Sequence, residues 1–188
     1  MLTERLPRYM TQAEVKRFFA VLKDRRDRAL FGISYLYGLR AGEAVLLKVS
    51  DIDFEGNKIF IPRLKNGYSG LKPLRQDARK VLKSYLRVHI PHGDALFTTR
   101  QGSITKRRIE QLFKRYVVKA GLPDRYVPHS LRHSIAVHTL DAGEDIAYVQ
   151  DHLGHRNIRN TQVYAKISDA SRNKIMRRLE YSSEVVKI

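Results

Sequence analysis

The chain has 188 residues, 43% of them hydrophobic, which is enough to bury one core and little more. Its 36 Lys and Arg against 19 Asp and Glu give a formal charge of +17 spread along the whole length, so a polyanionic partner is expected, nucleic acid before any other. With no cysteine, disulfides, thiolate catalysis and Cys-based zinc sites are excluded and a cytoplasmic setting is expected; no stretch reaches the roughly 18 apolar residues of a spanning helix, and the N-terminus lacks a secretory apolar segment.

In chain order, Thr11-Gln-Ala-Glu14 reads as a capping box opening a helix to about Lys23, with Val15, Phe18, Phe19 and Leu22 on one face. A second helix is expected from Arg26 to Tyr37, stopped by Gly38 in a left-handed conformation; Leu39 to Glu43 then turn into a short helix ending near Leu47. Between Asp51 and Leu74 the pattern becomes β-type: Ile52 to Phe54, a Glu55-Gly56-Asn57 turn, Lys58 to Pro62, an Asn66-Gly67 turn, and Leu71 to Leu74. Helices return over Asp77–His89, Thr105–Ala120, His129–Asp141, Asp145–Leu153 and Asp169–Leu179, and residues 180–188 read as a loose tail. The expected fold is mainly α with a small three-stranded antiparallel β-sheet, in a single domain over residues 1–188 with no repeat or linker.

Arg40, Lys65, His129, Arg132, His155 and Tyr164 fall at expected element boundaries or turns, where side chains are presented to ligands. Singly each has an ordinary reading, since Lys and Arg are mostly solvated surface residues and a Tyr is mostly core. Together they supply a hydroxyl nucleophile, cations for a phosphate and a proton donor for a leaving oxygen, so phosphodiester transfer needs neither metal nor cofactor. A metal reading of His129, His133, His138, His152 and His155 is disfavoured because no Glu follows a His in metalloprotease spacing and Arg132 would repel a cation.

The order of these residues resembles the tyrosine recombinase and phage integrase family. The segments that carry the likeness are Gly38-Leu-Arg40-Ala-Gly-Glu43, Leu64-Lys65-Asn66-Gly67, His129-Ser-Leu-Arg132-His133, Leu153-Gly154-His155 and Tyr164. The resemblance runs from about Leu6 to Leu179 and implies the family's catalytic-domain fold. It further implies that Tyr164 attacks a DNA phosphate to give a 3′-phosphotyrosine link, Arg40 and Arg132 clamp the non-bridging oxygens, and Lys65 protonates the leaving 5′-oxygen. A plain phosphate contact is the simpler role for Lys65. His155 would donate to the phosphate and His129 would assist proton transfer from Tyr164, with the choice of accepting histidine left open. Glu43 would orient Arg40 or a histidine, unless it serves only as a helix N-terminal charge.

The implied partner is double-stranded DNA, bound by a homotetramer on paired sites, with monomers free in solution and accessory DNA-bending proteins as further partners. Only about ten residues precede the first helix, so the helical domain that precedes the catalytic domain in larger members is expected to be absent. The chain is then either an excised catalytic domain or a naturally short member; a closer likeness to short recombinases that invert fimbrial switches rests on Arg63-Leu-Lys65-Asn-Gly67 and Leu153-Gly-His-Arg-Asn-Ile-Arg159, and Met1 mildly favours the natural short protein. Two other functions share these features: a type IB topoisomerase, which would reseal the same strand, and a basic DNA-binding regulator without catalysis.

Overall fold

In a computed structural model, the protein is described over residues 7–65, 67–89, 91 and 93–166. The elements are α1 (Gln12–Ala20), α2 (Arg25–Leu36), α3 (Ala41–Leu46), β1 (Ile52–Asp53), β2 (Lys58–Ile61), β3 (Gly70–Pro73), α4 (Gln76–Leu86), β4 (Thr98–Thr99), β5 (Gly102–Ser103), α5 (Lys106–Lys119), α6 (Pro128–Asp141), α7 (Ile146–Leu153) and α8 (Arg159–Ala165).

α2 is the central column, because from Ala29 onward its sequence is apolar nearly all round: Ala29, Leu30, Phe31, Ile33 and Leu36 are all buried. Phe18 of α1, Phe31 of α2 and Phe113 and Tyr116 of α5 meet at ring separations of 5.0–6.4 Å and hold those three helices together. A second cluster, built by Ile135, Val137 and Leu140 of α6, Val149 and Leu153 of α7 and Tyr164 of α8, makes the tyrosine ring a core residue. α1 opens with the expected capping box, Thr11 N–H donating to Glu14 and Glu14 N–H to Thr11 Oγ1.

The sheet is antiparallel in the order β1-β2-β3, with Ile52 opposite Ile59 and Phe60 opposite Leu71. Ile59 and Ile61 point into the core while Phe60 points outward, as a period of two requires. The expected three strands are present, β1 and β2 each ending one residue early and β3 shifted one residue toward the N-terminus at unchanged length. β2 ends at Ile61 and β3 begins at Gly70; the expected Asn66-Gly67 turn includes Asn66, which lies outside the described residues, while Gly67 N–H bonds back to Leu64 O at 3.2 Å. Two further elements were not expected, the two-residue hairpin β4–β5 and the seven-residue α8. The expected Asp169–Leu179 helix and the 180–188 tail lie outside the described residues. No described helix is long and apolar enough to cross a membrane.

Candidate active site

Two helix ends deliver the centre of the site. α2 finishes on Gly38 at φ 59°, with Leu39 N–H reaching back to Ser34 O at 2.8 Å, and the chain then runs straight into Arg40 at the start of α3. α7 finishes the same way on Gly154 at φ 66°, with His155 N–H bonded to Gln150 O at 3.0 Å. Both positions need a left-handed residue, which glycine supplies without steric cost.

Between these ends lies Glu43, whose side chain is wholly buried. Its carboxylate accepts from Arg40 Nη1 at 2.6 Å, Arg40 N–H at 3.0 Å, Arg63 Nη1 at 3.0 Å and Leu64 N–H at 3.2 Å, and stands 3.7 Å from Arg132 Nη1. Burial by itself would raise its pKa, but the Arg40 backbone bond and the surrounding guanidiniums outweigh that and hold it below the usual carboxylate range. Three cations share this one carboxylate, which leaves the centre with surplus positive charge.

Arg132, near the start of α6, is fully buried. Nη1 donates to Gly38 O and Nη2 to Leu153 O at 2.8 Å, so it bridges the two helix ends, while its Nε has no hydrogen-bond partner among the described residues. Desolvation, then the repulsion of Arg40 and Arg63, pushes its pKa down to about 9, which marks a cation short of negative charge. In this conformation Arg132 braces the site from beneath, and Arg40, 27% exposed, is the arginine that reaches the surface.

Beside it a cleft of about 460 Å³ is lined by Arg40, Lys65 and His129 together with Gly42, Lys106 and Pro128. Lys65 sits exposed in the 62–69 loop with a left-handed φ of 55°, unusual for a residue with a side chain. His155 is buried, with Nδ1 2.9 Å from Thr161 Oγ1 of α8. Tyr164 is 2% exposed, and its hydroxyl lies 2.9 Å from Nδ1 of His133, not of His129. His129 packs edge-on against His133 at 4.5 Å between ring centres.

Burial first, and then neighbouring positive charge, lowers the histidine pKa values: His129 to about 3, His133 and His155 to about 4. These rings are neutral at neutral pH, so His133 can accept the Tyr164 proton in a hydrogen bond. Burial raises the tyrosine's own pKa, against the pull of Arg132 and Arg40.

The six expected residues therefore gather around the two helix ends, with differences in detail. Tyr164 lies within α8, not at a turn, and Arg132 bonds backbone carbonyls where a direct clamp had been expected. Arg63 and His133 are integral to the centre, although the sequence reading named Arg63 only for the closer likeness and His133 only within its motif and the disfavoured metal reading, with no part in the reaction for either. His133 follows Arg132 directly, and on a helix it shares a face with His129 four residues earlier, which was the signal available. A second cleft, of about 630 Å³, flanks the same end of α5 and carries Arg26, Arg100, Arg107 and Arg108.

Residues 8–171 match the phage integrase family. The chain is 32% identical over 167 residues to tyrosine recombinase XerA of Pyrococcus horikoshii, covering 87% of this chain and 58% of that protein. It is 33% identical over 175 residues to the type 1 fimbriae regulatory protein FimE of Escherichia coli strain K12, covering 88% of each. The crystal structure of XerA recombinase superposes with a TM-score of 0.80 at 27% identity, over 98% of this chain and 66% of that one. This chain thus spans less than two thirds of the XerA proteins it resembles.

Proposed function

The chain belongs to the phage integrase family of tyrosine recombinases, and from that premise we propose that it breaks and rejoins DNA strands through a 3′-phosphotyrosine bond on Tyr164. The observation that carries this reading is the surplus of buried positive charge around Glu43, opening through Arg40 onto a cleft that also holds Lys65 and His129. Such a centre suits an anion that adds charge in the transition state, and the pentavalent phosphorane is that anion.

In the proposed step the Tyr164 oxygen attacks phosphorus, and its proton passes to a histidine of the His129–His133 pair. The bond from phosphorus to the 5′-oxygen breaks, and Lys65 delivers a proton to that oxygen. Arg40, held by Glu43, donates to the non-bridging oxygens, where a planar guanidinium offers paired bonds that lysine does not reproduce. Arg132 adds positive charge beneath the phosphate, and His155, a neutral ring, contributes a hydrogen-bond donor. The attack of a 5′-hydroxyl from a second strand reverses the sequence, so the bond energy stays in the protein link and no ATP is consumed. Recombination by this route takes two DNA sites and four copies of the chain.

The test is to incubate wild type and Tyr164→Phe with supercoiled DNA carrying the gene and its flanks, stop with detergent, and look for protein-linked strands. Wild type is expected to give the adduct and Tyr164→Phe none, with DNA affinity and melting temperature retained. Equal adduct from both proteins refutes the assignment. Transfer of a label between two marked duplexes then separates recombination from resealing of a single duplex.

A further inference from the structure

Lys65 is exposed and held in a left-handed conformation, so something must fix it in space if it is to meet a leaving oxygen reliably. The neighbouring hydrogen bonds all run into the loop's base. Gly67 N–H returns to Leu64 O at 3.2 Å, closing the chain around Lys65, and Tyr68 N–H donates to Gly154 O at 3.1 Å. Leu64 N–H donates to Glu43, and Arg63 N–H to Ser69 Oγ at 2.8 Å.

The largest anchor is the Arg63 side chain, 1% exposed and turned away from the cleft. Nη1 donates to Glu43 Oε2 at 3.0 Å and Gly38 O at 3.2 Å; Nη2 donates to Tyr37 O at 2.8 Å and His152 O at 2.7 Å. Its targets are the ends of α2 and α7, the same two ends that carry Arg40 and His155. The approach is close: a Cβ on Gly154 would stand 3.0 Å from Arg63 Nε, and one on Gly67 2.9 Å from Arg63 Cβ. Burying a guanidinium is costly, and an apolar residue would anchor a loop at lower cost. What arginine adds is direction, three bonds to the ends of α2 and α7 and one to Glu43 of α3, which fix the loop's position relative to all of them.

We propose that Arg63 is a positioning residue for this reaction, locking the loop that carries Lys65 onto the helix ends that carry Arg40 and His155. The inference rests on the phosphotyrosine reading above, with Lys65 as the acid. It makes a distinction that a merely structural role does not: losing Arg63 should hurt most where Lys65 has a proton to deliver.

The experiment compares single-turnover adduct formation on two DNAs carrying the cleavage site mapped with wild type, one ordinary and one with a 5′-bridging phosphorothiolate at that site. Sulfur leaves as a thiolate without protonation. Arg63→Gln is expected to slow adduct formation at least tenfold on ordinary DNA and less than threefold on phosphorothiolate DNA, the pattern expected of Lys65→Ala. The double variant should be no slower than Lys65→Ala alone, because both changes remove one function. If Arg63→Gln does not fold, Arg63→Lys carries the test, since it keeps the buried charge and loses the four-way bonding.

Equal slowing on both substrates, or no slowing, overturns the inference while leaving the phosphotyrosine reading intact. A wild type that forms no adduct on the supercoiled DNA used to map the site overturns that reading and this inference with it. Selectivity in the Arg63 variants without selectivity in Lys65→Ala refutes the route through Lys65.

Discussion

At the residue scale, Glu43 is the keystone of the centre, since Arg40, Arg63 and Arg132 share its carboxylate within 3.7 Å. Removing one partner of a buried ion pair exposes the other to an uncompensated desolvation cost. Glu43→Ala is therefore expected to lose about 3–5 kcal/mol of stability, measured as a lower urea midpoint with unchanged m-value; a loss below about 1 kcal/mol would mean that the arginines relax into solvent. The role of Glu43 in holding Arg40 was one of two readings open in the sequence, three residues after Arg40 being within reach on a helical turn. Arg63 was not legible in that way. Its side chain turns inward only because residues 37–38 and 152 expose backbone carbonyls there, and those carbonyls come together only in the folded chain. His133 was visible as a residue but not as the neighbour of Tyr164, because that contact depends on where α8 lands.

At the element scale, α1 and α5 were readable because each opens on a threonine cap, Thr11 and Thr105 accepting from the third residue of the helix, and keeps an apolar face. α8 has neither: it is seven residues long, carries no side-chain cap at Ile158, and buries only Thr161 and Tyr164. Tertiary packing on α6 and α7 makes it a helix. What the local pattern between β2 and β3 did not give is that Arg63 and Tyr68 tie this segment to the ends of α2 and α7. Gly154 is the hinge of that arrangement, since a Cβ there would meet Tyr68 O at 2.8 Å in addition to the strain of φ 66°. Gly154→Ala is expected to cost about 1–3 kcal/mol, from left-handed strain and local displacement. Thermal melts check the cost, and a smaller effect would show that the loop gives way without resistance.

At the scale of the whole molecule, the mainly helical fold with one small sheet was legible, and the charge of +17, a property of the entire chain, is what points to the polyanionic partner proposed above. What the fold adds is where the charge is buried and where it is displayed. The buried part controls the response to acid. His129, with a pKa near 3, and His133, His152 and His155, each near 4, are depressed mainly by burial relative to an unfolded value near 6.5. Between those limits the unfolded chain binds protons that the folded chain refuses, so stability is full above about pH 6.5 and falls as pH drops toward 4. Melting temperatures at constant ionic strength should decline across that window, and a flat profile from pH 7 to 4.5 contradicts the burial of these rings. The displayed part is what the proposed DNA partner would meet. Arg100 and Arg107 line the second cleft at the start of α5, where the first cleft takes Lys106, so one stretch of DNA backbone can follow both. Each phosphate contact releases condensed counterions and steepens the fall of log K with log salt by about 0.9. Arg100→Ala with Arg107→Ala should make that slope shallower by about 2, weaken binding equally on unrelated sequences, and leave the adduct rate at saturating protein unchanged. An unchanged slope would place the second cleft away from the DNA, whereas a loss confined to one sequence would make these arginines readers of bases and not of phosphates.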